Sequence, residues 1–239
     1  MTETLFRTDA YTRTCEAFVT AVNDRGGIVL DRTILYAAAG GQPGDGGALT
    51  WEGGVCRIAT TVYDADKTTI VHVPAEGSPL PAAGLPVHLA LDWDTRHRYM
   101  RVHTALHLLC SLVHWPVTGG QIGVDDGRLD FDIADMAGID KETLTAALPS
   151  LVDADHPVTT RWITDAELEA APHLVRTMSV KPPMGSGKVR LVAIGNDGAV
   201  DLQPCGGTHV ARTGEIGRLA VTKIESKGKQ NRRIRVALA

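Results

Sequence analysis

Over residues 1–92, apolar and polar positions alternate in short runs; beyond them the apolar period lengthens to that of a helix. Residues 15–22, 28–30, 33–36, 55–63, 68–73 and 87–91 read as strands. Turn chemistry separates them, with Asn23 to Gly27 after the first and Asp64 to Lys67 closing a hairpin. Residues 74–86 form a connector rich in proline and glycine. Short strands with regular turns predict a small barrel. One stretch breaks the pattern: residues 37–47, with Gly40, Gly41, Gly44, Gly46 and Gly47, are too glycine-rich for an element interior. This is either a surface loop or a loop whose bare backbone approaches a ligand or another domain.

From Trp93 to Trp115 the pattern is helical, with Asp92 as N-cap and Pro116 as the stop. Tyr99, Val102, Leu106, Leu109 and Val113 give this helix an apolar side, and Arg96, Arg98 and Arg101 precede its two histidines. Strands follow at 121–124, 129–133, 156–163, 189–194 and 199–202, and helices at 140–152 and after the capping box of Thr164 and Glu167. Residues 181–188 read as a loop, a lid or basic clamp at most, and residues 219–238 as a hairpin around 227–231. The predicted class is α+β: a β-barrel domain with a glycine-rich loop over 1–92, then an α+β domain over 93–239 with the long helix against a sheet.

Composition changes this picture little. The 239 residues suffice for two modest domains, and 44% hydrophobic with 22% charged residues is ordinary for a globular chain. Aromatics at 5% require a mainly aliphatic core. The N-terminus has no signal-peptide pattern, and no apolar run approaches the roughly 20 residues of a membrane span. Four scattered cysteines argue against a disulfide framework and for a reducing, cytoplasmic setting, with Cys15, Cys56 and Cys110 as core fillers. Charge is more informative. The net charge is −4, yet residues 222–239 hold six cations against Glu225, a local +5 that leaves −9 elsewhere. A basic end on an acidic body suits one surface that meets a polyanion, or else a solvated terminal strand.

The candidate chemistry lies in two pairs. His103 and His107 are one helical turn apart and share a face; Cys205 and His209 have the same spacing across two glycines. A thiolate and three imidazoles are a zinc ligand set. The zinc-peptidase pattern needs a glutamate after the first histidine, and that position is Thr104. A phosphate-binding loop at Gly187-Lys188 fails because Pro182 and Val189 stand where Gly and Ser or Thr are required. Four protein ligands make a closed, structural site unless one yields; His209 is the expected looser member.

The wording around these ligands resembles a known family. His103-Thr104-Ala105-Leu106-His107 and Gln203-Pro204-Cys205-Gly206-Gly207-Thr208-His209 are similar to the two zinc motifs of the alanyl-tRNA editing domain. Thr213-Gly214-Glu215-Ile216-Gly217, Ile224 to Gly228, Asn231-Arg232-Arg233, and Gly40-Gly41-Gln42-Pro43 with Asp45 extend the likeness over nearly the whole chain. Ala37-Ala38-Ala39 departs from it, since family members often carry Pro, an acidic residue and Gly there. The threonyl-tRNA synthetase editing domain shares the ligand spacings, but the residues around Cys205 resemble the alanyl branch. A chain this short, without an ATP motif, resembles the freestanding AlaX proteins rather than a whole synthetase, so no ATP is expected.

The resemblance implies hydrolysis, in trans and with zinc, of tRNA(Ala) mischarged with serine or glycine. It places Gln121 in the editing pocket, in contact with the amino acid or a water. Gly206 and Gly207 are candidate oxyanion donors, Thr33 and Gln42 candidate recognisers of serine, and Arg232 and Arg233 candidate RNA contacts. Zinc would either activate water or hold the substrate. The competing readings are a non-catalytic RNA-binding module with a structural zinc, a threonyl-type editing domain, and a zinc hydrolase of small esters or amides.

Overall fold

The structure, a computed structural model, describes residues 1–178 and 187–239; most of the loop expected at 181–188 lies outside the described residues. The chain divides into two compact units, Met1–His97 and Arg98–Ala239. No described helix is long and apolar enough to cross a membrane.

The first unit contains β1 (Glu3–Thr4), β2 (Thr14–Val22), β3 (Ile28–Leu30), β4 (Arg32–Thr33), β5 (Gly47–Trp51), β6 (Gly54–Tyr63), β7 (Ile70–Pro74) and β8 (Pro86–Leu91). Six of them close a barrel in the order β2-β3-β7-β6-β5-β8, which leaves those strands no free edge. Alternation does the filling: Ala17, Val19, Leu49, Cys56, Ile58, Val87 and Leu89 point inward, and the residues between them are mostly solvated.

Two local expectations change. β5 was hidden, because it starts inside the glycine-rich stretch. Its glycines serve the barrel: a Cβ at Gly44 would lie 1.9 Å from the Thr61 carbonyl oxygen, and one at Gly47 would lie 2.2 Å from that of Ala90. The run expected at 33–36 is strand only at Arg32–Thr33. Beyond it, side chains replace ladder partners. The Leu35 N–H donates to Thr33 Oγ1 (3.0 Å), the Tyr36 N–H to Asp45 Oδ2 (2.6 Å), and Arg96 Nη2 to the Ile34 carbonyl (2.6 Å).

Arg96 belongs to α1 (Trp93–Leu112), whose start completes this unit. It is fully buried and pairs with Asp45 through both Nε (2.8 Å) and Nη2, while Nη1 reaches the Ala10 carbonyl at 3.0 Å. Removing either partner of such a pair strands a buried charge, at roughly 3–5 kcal/mol. Asp45, the acid of the glycine-rich motif, therefore fastens loop to helix.

The second unit holds the rest of α1 and β9 (Val117–Ile122), β10 (Asp126–Asp132), α2 (Lys141–Asp153), β11 (Val158–Thr164), α3 (Asp165–Ala170), β12 (Lys188–Ile194), β13 (Asp201–Pro204), β14 (Leu219–Ser226) and β15 (Asn231–Leu238). An antiparallel sheet runs β14-β15-β10-β9, and a smaller one β11-β12-β13. Helix α1 lies against the larger sheet at Gly127, where a Cβ would come within 2.7 Å of Val102 Cγ1 and 3.2 Å of Leu106 Cδ1. It ends at Leu112, before Trp115, because Arg176 Nη2 takes the terminal carbonyls of Cys110 (3.0 Å) and Val113 (3.1 Å). The strand expected at 199–202 shifts to Asp201–Pro204, since residues 196–198 form a 3₁₀ turn with Asp197 at φ +54°. That shift sets which side chains face α1.

His72 is a buried titratable group of the barrel. Its Nδ1–H donates to the Ile28 carbonyl (3.0 Å), so Nε2 accepts from Thr33 Oγ1 (2.8 Å). Burial disfavours the imidazolium and lowers its pKa to about 4, against the smaller opposing effect of the Ile28 bond. Below the unfolded value of about 6.5 the unfolded chain takes up a proton that the fold refuses, so this contribution to stability is complete above that pH and is lost as pH falls towards 4. Urea unfolding should show a His72-dependent loss of about 2 kcal/mol between pH 7 and pH 5, absent in His72→Gln. Equal slopes for the two proteins would contradict it.

Candidate metal centre

The four expected ligands meet inside the second unit. His103 and His107 come from consecutive turns of α1; Cys205 and His209 come from the loop that leaves β13. Their donor atoms lie within 4.8 Å of one another, with the three histidines buried. Cys205 Sγ is 3.5 Å from His103 Nε2 and 3.4 Å from His209 Nε2. Bonds of about 2.0–2.3 Å from a tetrahedral ion to nitrogen and sulfur set donor–donor edges of about 3.3–3.6 Å, which these separations match.

Neighbouring side chains aim two of the imidazoles. Asp201 Oδ2 accepts from His107 Nδ1 at 2.7 Å, and Gln203 Nε2 donates to the same oxygen at 2.8 Å. Thr104 gives its hydroxyl proton to the Met100 carbonyl (2.8 Å) and accepts from His209 Nδ1 (3.2 Å) and the Val210 N–H (3.3 Å). With Nδ1 protonated in both rings, each Nε2 lone pair is left for the cluster. Arg190 braces the loop: Nη1 donates to the carbonyls of Cys205 and Gly207, each at 2.9 Å.

The electrostatics favour a cation at the centre. Burial alone would raise the Cys205 thiol, but the imidazoles of His103 and His209 hold it well below the usual range. Burial, then repulsion from His103, lowers His209 far below its ordinary value. For His107 burial also opposes the charge, but Asp201 and Cys205 outweigh it and push the pKa up to about 10. Below about pH 10 His107 therefore carries a proton that a metal would have to displace, since the ligand set for a divalent borderline metal is a thiolate with neutral imidazoles. The cluster can hold a metal ion.

The other expected residues are placed as follows. Gly206 is exposed beside Cys205, and a Cβ there would meet open space. Among the described residues the N–H groups of Gly206 and Gly207 have no partner. Gln121 pairs with Arg128 in the β9–β10 ladder and accepts from its Nε at 3.3 Å. Gly127, next to Arg128, faces α1, so Gln121 points from the opposite face of that sheet, into a shallow recess of about 90 Å³ with Arg128 and Arg235. Thr33 and Gln42 are buried in the first unit, Thr33 with its hydroxyl bonded to His72.

The terminal cations are less free than the charge count suggests. Arg233 grips Asp130 with Nε (2.7 Å) and Nη2 (2.9 Å), and Arg232 Nη1 bonds Ser226 Oγ (3.2 Å) and the Gly228 carbonyl (2.9 Å) at the hairpin turn. Arg235 and Lys223 share Glu225. Lys227 and Lys229, exposed at the hairpin tip, make no ion pair among the described residues. On α1, Arg98 pairs with Asp125 and Arg101 holds the Ile216 carbonyl.

Sequence reasoning missed Asp201, Gln203 and Arg190, and saw Thr104 only as the residue that excludes a peptidase. A signal existed for the first two: polar side chains alternating in a strand that runs straight into a ligand.

A small closed barrel and a second α+β unit with a Cys/His₃ cluster that could hold a metal ion define a two-unit protein with a candidate metal centre. Residues 189–235 match the model described as the threonyl and alanyl tRNA synthetase second additional domain, and residues 9–95 that of class II (A) tRNA synthetases. An alanyl-tRNA editing protein AlaX-M of Methanosarcina acetivorans is 33% identical over 242 residues, 98% of each chain. One of Saccharolobus solfataricus is 28% identical over 98% of each chain. The alanine–tRNA ligase of Pyrobaculum arsenaticum is 35% identical over 94% of this chain but only 25% of its own length. The chain belongs to the AlaX family of alanyl-tRNA editing proteins.

Asp201→Asn should keep the fold yet weaken metal binding about 10- to 100-fold, because it removes the charge that orients His107. Competition with a chromophoric chelator reads this out. Unchanged affinity would mean that Asp201 does not support the ligand.

Proposed function

We propose that this protein hydrolyses the aminoacyl ester of mischarged tRNA(Ala), with serine as the main substrate and glycine second, at a zinc ion held by His103, His107, Cys205 and His209. The observation that carries the reading is the convergence of these four donors, two of them aimed by Asp201 and Thr104, in a chain of the AlaX family. A bound zinc supplies Lewis acidity, which polarises a carbonyl or lowers the pKa of a water to about 7.

The chain's own groups supply the rest. The unpartnered N–H groups of Gly206 and Gly207 stand beside the cluster as oxyanion donors, and Arg190 fixes the loop that presents them. An aminoacyl ester is already reactive, so orientation and charge stabilisation suffice without a strong general base, and Thr104 stands where a peptidase has one. His209 is the looser ligand. Its Nδ1 partner is a neutral hydroxyl at 3.2 Å, whereas His107 has a carboxylate at 2.7 Å that strengthens it as a donor. Gln121 faces away from α1 and is assigned to RNA contact, beside Arg128 and Arg235, rather than to the reacting atoms. Thr33 and Gln42 are buried in the first unit, with the Thr33 hydroxyl already bonded to His72 and the Leu35 N–H, and no role at the metal centre is assigned to them. The substrate is a polyanion, and Lys227 and Lys229 are exposed lysines of the terminal hairpin without an ion pair among the described residues.

Zinc-loaded protein should deacylate Ser-tRNA(Ala) at low micromolar enzyme, and Cys205→Ala should lower the rate at least 100-fold while circular dichroism and the unfolding midpoint stay near wild type. Intact Ser-tRNA(Ala) after incubation with the zinc-loaded protein would sink the proposal. Unfolding of Cys205→Ala would favour the structural-zinc RNA module instead.

Changing Lys227 and Lys229 together to Ala should raise KM for tRNA and reduce the slope of log KM against log salt by about 1–2, since each lost phosphate contact removes nearly one unit. An unchanged slope would put the RNA on the Arg128–Arg235 face instead.

A further inference from the structure

We infer that Trp162 is a stacking platform for the unpaired terminal nucleobase of the RNA whose ester lies at the metal centre; this rests on the reading of the substrate as an aminoacylated RNA. Trp162 is the large apolar side chain left exposed, at 48%, on β11, the edge strand of the β11-β12-β13 sheet. Lone exposed apolar residues usually carry no meaning, but the position of this one is specific.

In the antiparallel ladder Trp162 is directly opposite Arg190, so their side chains share a sheet face about 5 Å apart at Cβ. From that face Arg190 holds the carbonyls of Cys205 and Gly207. Gln203, opposite Val192, and Asp201, opposite Ile194, keep the same alternation, and both act on His107 from it. The face thus runs from the imidazoles, through the ligand loop, outward to the indole at the edge. Exposed Lys188, opposite Thr164, lies two residues from Arg190 on that face and adds positive charge beside the indole.

An aminoacylated RNA end carries its ester on the ribose of its last nucleotide. That nucleotide's base is unpaired and lies within one nucleotide's reach of the scissile bond. A base needs a flat apolar surface near the reaction centre, and its phosphate a cation; the indole and the lysine provide these. Stacking tolerates any base, so this platform positions the RNA end without selecting its sequence.

The test compares Trp162→Ala and Trp162→Phe with wild type in zinc content, in deacylation of Ser-tRNA(Ala), and in affinity for an uncharged RNA hairpin ending in an unpaired CCA. The alanine variant should raise KM and the hairpin Kd about 5- to 100-fold, with kcat within about 2-fold and zinc unchanged; phenylalanine should restore most of the loss. The CCA trinucleotide should quench wild-type tryptophan emission, and the quenching should vanish in Trp162→Phe. Unchanged KM and Kd in the alanine variant, equal binding of a blunt-ended hairpin, or a fall in kcat that tracks zinc loss would each overturn the inference. If the wild type deacylates nothing, the proposed reaction fails, and the quenching experiment alone decides the platform: its presence supports it, its absence removes it.

Discussion

Four lone pairs directed into one buried space repel one another, and that constraint organises the second unit. A thiolate and three neutral imidazoles within 4.8 Å of one another crowd lone pairs and negative charge into one space, which a cation would offset. The fold orients two of the rings from behind. Asp201 takes the outer N–H of His107, and Thr104 that of His209. Thr104 can do this because its own proton is given to the Met100 carbonyl of the preceding turn. The helix thereby contributes two ligands and the support of a third from five consecutive residues.

The first unit answers a different demand. A closed barrel of only six strands brings backbones close at its corners, and the glycine-rich stretch meets that demand at Gly44 and Gly47. The Asp45–Arg96 pair then stands in for hydrogen bonds that the irregular chain at Ile34 to Tyr36 could not obtain from a neighbouring strand. In the motif that looks like a ligand-binding loop in the sequence, Gly44, Asp45 and Gly47 are accounted for by the packing of the first unit itself.

What was legible in the sequence was local. The i, i+4 histidines, the Cys-Gly-Gly-Thr-His turn, the capping box at Thr164 and the hairpin at 64–67 each lie within one period of the chain. What was not legible depended on partners far away. Charge counting could find Arg233 but not Asp130, 103 residues distant, which neutralises it. Gln121 is visible as a polar strand residue, but only the ladder with β10 fixes which face it takes. Asp201 and Gln203 are visible as polar residues in a strand, but only the β12–β13 register turns them toward His107. β5 escaped notice because glycine, which obscures a strand in sequence, is there what permits one.

The ligands also have a kinetic meaning. His103 and Cys205 are 102 residues apart, and between them lie the β9–β10 pair, α2 and the β11-β12-β13 sheet. Closing a loop of that length before its interior is ordered carries a large entropic penalty, so contacts of this separation form late in folding. The helix can present its two histidines early; the cysteine arrives only after β12 and β13 have paired. A metal ion that binds only the completed set would stabilise that closure, so its occupancy would report that α1 and the strand pair leading to Cys205 have come together.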